Sequence, residues 1–474
     1  MVAGEGAEHP RPSAAPPGRP ALCQLRCRDH GRHGRVSSPT TAPAPGLADR
    51  LRAQASGAAT SSLVATALIQ VLNVVTGVIL ARTLGPSGRG ELAAVILWPT
   101  MLWTVGNLGV VDSVTFHSAR STAPQRSIVS TSLALALVQS AVLVAIGLVL
   151  VPLVLAKQEA SVVRDCLIFL ASVPTSLVTL YLASVLNGTH RFVAFNVLRA
   201  TVFVGNAAGL VALAIASELT VTSAMFAYLA SQVLTVLIAA ILVLPSTGSP
   251  SRPERLLARE MLAYGFRSQL STISNLLNER VDQLVISIVL APASLGLYVV
   301  AWTMTGLSSM IGYSVTFAAL PRVAQAESEA ERTARAHQYV FLTFAATVAV
   351  TIPVLLLAPE ILRIFFGGDF VQATGVTRVL LVASIALGTG RVLEAVLKGV
   401  NRPLHAGLAE GAGLIVTAVG LGALLPTLGL MGAAITSLAA YSVTTCVALN
   451  LANRALGTSG AELLRPGSRR RPPV

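Results

Sequence analysis

The chain has 474 residues, of which 53% are hydrophobic and only 12% charged, and its mean hydropathy is +0.71. A soluble domain carries about 25% charge, so this chain cannot cover itself with polar surface and lipid must be its main solvent. The formal charge of +13 would suggest a nucleic-acid partner in a soluble protein; here the arginines sit in short loops and tails, where they act as a topology signal instead.

Only helices or a closed barrel satisfy every backbone polar group inside lipid. The apolar runs here are long and continuous rather than short and alternating, which selects helices. Residues 1–58 differ from the rest: rich in Pro, Arg, Ala, Ser and Gly and without apolar periodicity, they are predicted to form a disordered cytoplasmic tail. They hold no apolar core of a signal peptide. Cys23, Cys27, His30 and His33 fall together there, either as zinc ligands or by chance of composition; the spacing matches no common finger. Cys166 and Cys446 lie in apolar stretches and read as small packing residues.

Twelve apolar spans follow, at 60–81, 91–111, 128–154, 165–187, 193–215, 220–244, 264–290, 295–319, 337–357, 374–397, 404–427 and 430–453. Most are long enough to cross about 30 Å of hydrocarbon. With the N-terminus inside, the cytoplasmic segments hold 24 Arg and Lys and the external loops five, Arg82, Arg89, Lys157, Arg164 and Arg363. The positive-inside rule therefore predicts a multi-pass protein of the cell (cytoplasmic) membrane with both termini cytoplasmic. The predicted organisation is a six-helix lobe at 59–245, a cytoplasmic linker at 246–263, a second six-helix lobe at 264–456 and a basic tail at 457–474.

A repeat supports this division. Leu84-Gly-Pro86-Ser-Gly-Arg-Gly90 follows the first span, and Leu290-Ala-Pro292-Ala-Ser-Leu-Gly296 follows the seventh, with Leu, Pro and Gly in register. Val185-Leu-Asn-Gly188-Thr-His-Arg191 and Val396-Leu-Lys-Gly399-Val-Asn-Arg402 agree in the same way after the fourth and tenth spans. An even number of spans separates the copies, so the halves point the same way as a parallel repeat. The fold class is thus an all-α integral membrane protein of about twelve transmembrane helices in two parallel-repeat six-helix bundles, with substrate expected between them.

Chemistry concentrates in the seventh span, where Asn275, Asn278, Glu279, Arg280, Asp282 and Gln283 fall within nine residues. Each charge at mid-membrane costs roughly 2.5–3.5 kcal/mol on the insertion scale, so these residues must face protein or water. Helical spacing puts Asn275, Glu279 and Asp282 on one face with Asn278 beside it, and Arg280 on another with Gln283 and Ser287. Two readings stand: the lining of a hydrated cavity, or an ion pair that locks helices together. The equivalent stretch of the first half, Asn73-Val-Val-Thr76, is polar but uncharged. Other in-span charges are Arg199, Arg267, Arg378, Arg391, Glu394 and Glu410; Arg391 and Glu394, three residues apart, are predicted to pair. Arg280, Arg391 and Arg199 are candidates for holding an anionic head group, because the guanidinium fork donates two bonds to phosphate and stays charged. The chain lacks a G-x-x-x-x-G-K-[ST] loop, a G-x-S-x-G elbow and an H-E-x-x-H pair, so no catalytic residue, metal site or cofactor is expected.

ARTLGPSGRGELA (81–93), NERVDQLVIS (278–287), LGLYVVAW (295–302), IFFGGDF (364–370) and VLKGVNRP (396–403) together resemble, in order, the polysaccharide and O-antigen flippases of the multidrug, oligosaccharidyl-lipid and polysaccharide exporter superfamily. The resemblance spans about residues 60–455. It implies a V-shaped pair of bundles with alternating access, and an oligosaccharide on a polyprenyl pyrophosphate carrier flipped outward for cell-surface polysaccharide biosynthesis. It also implies coupling to an H+ or Na+ gradient, and contact with other polysaccharide assembly proteins. Glu279, Arg280 and Asp282 match the family's charged seventh-helix stretch. The tail 1–58 departs from the family pattern. A cation-coupled multidrug antiporter of the same fold is the alternative. A membrane polymerase is disfavoured, since no predicted external loop exceeds about 16 residues and such enzymes carry large polar ones.

Overall fold

The computed structural model describes residues 47–247, 251–458 and 462–464; a few side chains inside helices, Asn275 among them, fall outside the described set. The cluster Cys23–His33 also lies outside the described residues. Tertiary contacts set Met1–Ala53 apart from Gln54–Val474, and the second unit carries the packed helices from Val64 on.

Among the described residues every regular element is helical. The first half of the chain gives α1 (Leu47–Gly106), α2 (Val110–Arg120), α3 (Gln125–Val154), α4 (Ala160–Phe169), α5 (Ser172–Gly188), α6 (Phe192–Ile215) and α7 (Val221–Thr247). The second gives α8 (Arg255–Val289), α9 (Pro292–Ala324), α10 (Glu329–Leu356), α11 (Ala358–Ile361), α12 (Thr374–Gly399), α13 (Pro403–Leu428) and α14 (Leu430–Leu456).

Nine of these stretches are long and apolar enough to cross a membrane among the described residues, or ten if the bent pair Pro292–Gly306 and Ser308–Thr316 is one span. Two features separate this from the predicted twelve. The first two predicted spans fall in one stretch, Val64–Gly106, in which two helices meet at a kink and so count once. At 43 residues it would run about 65 Å if straight, twice the hydrocarbon thickness. It breaks at Gly85, whose φ of 64° and ψ of −175° suit a residue without Cβ, just before Pro86, which has no N–H to continue the ladder. The other difference is α8, whose charges exclude it on apolarity. Twelve therefore stays an expectation of the hydropathy pattern.

Two boundaries move. Helix already begins at Leu47, inside the tail predicted to be disordered, because Leu-Ala-Asp-Arg-Leu-Arg-Ala-Gln-Ala is rich in strong helix formers. Likewise α8 starts at Arg255, inside the predicted linker, and buries Leu257 and Met261 against α2, α3, α5 and α7. The periodic spacing of those two apolar residues was the signal.

Exposed apolar stripes mark the lipid face. On α13, Leu404, Leu408, Ile415 and Val419 are all exposed at spacings of four, seven and four, which is one side of a helix. On α3, Leu137, Val138, Val142, Val149 and Leu153 do the same. A water-soluble surface does not carry stripes of this length. Inside, hydroxyls return to their own helices, as when Thr343 Oγ1 donates to the Tyr339 carbonyl at 2.8 Å.

The buried cores are distributed unevenly along the helices. At the end where α1 breaks, one cluster draws on both halves: Leu92, Val95, Phe169, Leu210 and Met225 pack with Ile286, Leu295, Tyr298, Leu380 and Leu421. Ala81 adds to this by packing with Leu297, Val300, Met304 and Phe366. At the opposite end each half has a core of its own. Val114, Leu177, Tyr181 and Val243 form one, joined by the start of α8; Val323, Val340, Val396 and Ala448 form the other. α8 closes one seam there: Gly109, at φ 70°, meets Gly265 backbone to backbone, and Gln269 Nε2 donates to the Thr104 carbonyl at 3.0 Å.

His117 lies past the second span at this second end. It is buried, with Nδ1 2.7 Å from Thr122 Oγ1 and its ring beside Phe116 and Tyr264. Burial pushes its pKa below the ordinary 6.5, against the opposing pull of Glu260. The unfolded chain therefore takes up the proton first, and stability is lost as pH falls from about 6.5 through the depressed folded pKa. Measured by thermal unfolding in detergent, the wild type should lose more stability than His117→Gln over that interval; parallel pH profiles would refute this.

Candidate functional site

α8 supplies the polar stretch, and α12, α13, α9 and α14 supply its partners. Arg391 on α12 is the centre of one network. Its Nη2 lies 2.5 Å from Glu279 Oε1 on α8, and its Nη1 lies 3.0 Å from Glu410 Oε1 on α13 and 3.5 Å from Glu394 Oε2 one turn along α12. Glu394 and Glu410 thus share one guanidinium nitrogen and are themselves hydrogen-bonding neighbours. Asn278 Nδ2 donates to the other Glu410 oxygen at 2.8 Å. Thr417 Oγ1 donates to Asn278 Oδ1 at 3.2 Å, and Tyr441 Oη to the Asn278 carbonyl at 3.3 Å. Gly413 admits this contact, since a Cβ there would overlap Thr444 Oγ1 and stand 3.2 Å from Asn278 Nδ2.

A second, smaller group lies one turn further along α8. Asp282 Oδ2 accepts from Tyr298 Oη at 2.5 Å and from Ser437 Oγ at 3.2 Å, while Oδ1 accepts from the Gln283 amide at 2.7 Å. Asp282 is 2% exposed, so its charge is met by hydrogen bonds from α9 and α14. These bonds tie α8 to two neighbouring helices.

The remaining α8 face points elsewhere. Arg280 Nη1 donates to Gln283 Oε1 at 3.1 Å, and the buried Gln283 Nε2 has no partner among the described residues. One turn on, Ser287 Oγ accepts from Trp98 Nε1 of α1 at 3.2 Å. This face therefore looks across to the first half of the chain.

The sequence-predicted residues separate accordingly. Glu279 and Arg391 are joined directly, Asn278 enters the same network through Glu410, and the predicted Arg391–Glu394 pair is present. Asp282 has its own partners, and Arg280 and Gln283 form a pair. Asn275 lies outside the described side chains. In the first half Asn73 is exposed and bonds only locally, to Gln70 at 3.5 Å. Arg199 is exposed, 3.4 Å from Asn196 Oδ1 and over the Phe195 ring. The structure does not bring either to the α8 group. Sequence reasoning missed the convergence of Glu410, Thr417, Tyr298, Ser437 and Tyr441. The signal available was the rarity of Glu410 as an intramembrane acid, but spacing along one helix does not say which distant helix faces it.

Chemically, one guanidinium faces three carboxyls in a nearly dry setting. Arg391 is 9% exposed and Glu394 and Glu410 4% each, while the Glu279 side chain keeps 23% exposure. One positive group balances one carboxylate; further carboxylates held in a low dielectric require a proton or a cation.

A sequence profile of the family described as polysaccharide biosynthesis protein matches residues 57–327, more than half of the chain. The chain belongs to this family. The match covers the α8 stretch and stops before Arg391 and Glu410. One curated relative of this family member is the probable low-salt glycan biosynthesis flippase Agl15 of Haloferax volcanii, 24% identical over 313 residues, which is 64% of this chain and 65% of the relative. The matched region thus spans less than two thirds of that relative's length. Among solved structures, the lipid II flippase MurJ in an inward closed conformation superposes with a TM-score of 0.71 at 14% identity, covering 82% of this chain and 87% of that one. An inward-facing multidrug resistance transporter of the MATE family and the MOP superfamily gives 0.66 at 17% identity, covering 84% and 98%. At these identities the likeness establishes a shared fold: a helical membrane transporter fold.

Removing the central guanidinium leaves buried carboxyls unpaired. Arg391→Met should cost about 3–5 kcal/mol of stability, read as a fall in thermal midpoint in detergent. Adding Glu394→Gln and Glu410→Gln should recover most of it; a midpoint unmoved by Arg391→Met would show the network to be of no structural consequence.

Proposed function

We propose that this protein moves a lipid-linked oligosaccharide, on a polyprenyl pyrophosphate carrier, across the cytoplasmic membrane by alternating access, for cell-surface polysaccharide biosynthesis. The observation that carries this reading is the core that draws on both halves at the Gly90 end, whereas at the other end each half has its own core and only the start of α8 crosses between them, in a member of the polysaccharide biosynthesis family. Two bodies hinged in this way can expose the space between them to one side at a time. The arginine asymmetry supports an external Gly90 end and cytoplasmic termini. In this orientation the structure is closed outward, the state that receives cargo from inside.

In this reading the two groups on α8 divide the work. Arg280 lies on the face turned to the opposite half and offers a guanidinium suited to phosphate oxygens, steadied by the buried Gln283 Oε1. Arg391 is committed to Glu279, Glu394 and Glu410, so it holds carboxyls rather than cargo. That network is the coupling element, because three carboxyls around one guanidinium need a further proton or cation for balance. The surplus of carboxyls also favours the second reading, a cation-coupled multidrug antiporter, but Glu394 and Glu410 are too enclosed to touch an organic cation.

Cells lacking the gene should accumulate lipid-linked oligosaccharide in the cytoplasmic leaflet; normal surface polysaccharide in the deletion strain would end the proposal. In complemented cells Arg280→Ala should lower transport at least about tenfold, the equivalent of about 1.4 kcal/mol, with folded protein retained, and Arg280→Lys should keep part of it. Equal transport by all three removes Arg280 from the cargo site.

Coupling is tested in proteoliposomes. An imposed pH gradient should stimulate wild-type transport and leave Glu410→Gln unaffected, with Na+ making no difference to either. Stimulation by Na+ alone would replace the proton with sodium.

A further inference from the structure

The duplicated segment noted in the sequence meets its own copy in the structure. Pro86 and Gly90 occupy the same places in the first copy as Pro292 and Gly296 in the second. A Cβ built on Gly90 would overlap the Pro292 carbonyl oxygen and lie 2.9 Å from the Gly296 amide nitrogen. A Cβ built on Gly296 would overlap the Pro86 carbonyl oxygen and lie 2.9 Å from the Gly90 amide nitrogen. The contact is reciprocal, residue for residue, as in an isologous interface between two copies of one surface. Both glycines have ordinary helical backbones, so the requirement for glycine here is the closeness of the opposing main chain rather than an unusual φ.

Around this contact the two halves are bonded at the same end. Trp98 Nε1 donates to Ser287 Oγ, and Gln158 Nε2 donates to the Ser287 carbonyl at 2.8 Å. Arg82, just before the break in α1, donates through Nε to the Phe365 carbonyl at 2.9 Å and through Nη2 to the Ile364 carbonyl. Those carbonyls close the wide helical turn Leu362–Phe366, where helix-end oxygens lack partners within the helix.

We propose that the duplicated L-x-P-x-x-x-G segments form a reciprocal main-chain clasp, latched by Arg82, which holds this end of the transporter shut and must part for it to open there. The proposal rests on the alternating-access reading for its purpose, but not on the identity of the cargo. The clasp is made of backbone against backbone, so any side chain at Gly90 or Gly296 wedges it apart, whereas Arg82 adds polar contacts that water can replace. Closure is therefore strict in shape and modest in energy, which suits a contact that has to be broken in each cycle.

The test uses Ser287→Cys as reporter in a background with Cys23, Cys27, Cys166 and Cys446 replaced by serine. Ser287 is 1% exposed and sits on the seam. A membrane-impermeant maleimide is applied to the Gly90 side of sealed vesicles. Labelling should be slow in the parent, about tenfold faster with Gly90→Val or Gly296→Val, and intermediate with Arg82→Gln. Gly411→Ala, where a Cβ meets nothing within 4 Å, should leave it unchanged. Arg82 is exposed, so its variant reports even if the valine variants fail to fold. Unchanged labelling in folded Arg82→Gln, or in a folded valine variant, overturns the clasp. The assay contains no cargo: faster labelling in a protein that proves not to flip glycans refutes the flippase reading alone, and unchanged labelling in a transport-competent protein refutes the clasp alone.

Discussion

Arg391 is the interaction on which the second half of the molecule depends. A guanidinium nearly excluded from water is tolerable only with anionic partners close by. It finds them on α8, α12 and α13, and so fixes how those helices approach. Asn278 extends the arrangement through Glu410 and Thr417, and Tyr441 brings in α14. In lipid, where apolar side chains gain little from leaving one another for the tails, polar contacts of this kind carry more of the burden of specifying which helices meet. The Asp282 group repeats the logic with hydrogen bonds to α9 and α14.

The same residues explain how a mid-membrane acid can be both structural and mobile in charge. Glu394 and Glu410 crowd one guanidinium nitrogen, whereas Glu279 stands at the edge where solvent reaches. In the proposed coupling, a change of one proton in this group alters the attraction between α8 and the other helices. Because α8 also packs its first turns against the first half, that change would act on a helix in contact with both halves. Arg280 and its partner Gln283 ride on the same helix, a few residues away.

Much of the fold was legible in the sequence, because the constraint of lipid is severe. Long apolar runs give the order of the spans, and the repeat at Leu84–Gly90 and Leu290–Gly296 gives two related halves. The polar stretch 278–287 announced itself by its cost in lipid. Its fate did not. A helical wheel shows that Glu279 and Asp282 share a face; it does not show that Arg391, more than a hundred positions later, reaches Glu279 while Tyr298 and Ser437 take Asp282. The helical starts at Leu47 and Arg255 were missed because low hydropathy was read as absence of structure, although the residues there are good helix formers. The break at Gly85 was legible as a Gly-Pro step between the first two spans.

The clasp has a consequence for how the two halves can change over evolutionary time. The halves have drifted apart where the chemistry is done: Asn73–Thr76 carries no charge and Asn278–Asp282 carries three. At Gly90 and Gly296 such drift is not available to either copy alone, because the room each glycine leaves is filled by the other copy's main chain. The two positions behave as a single site written twice, and a duplication that began with identical halves would be expected to preserve its original symmetry longest there.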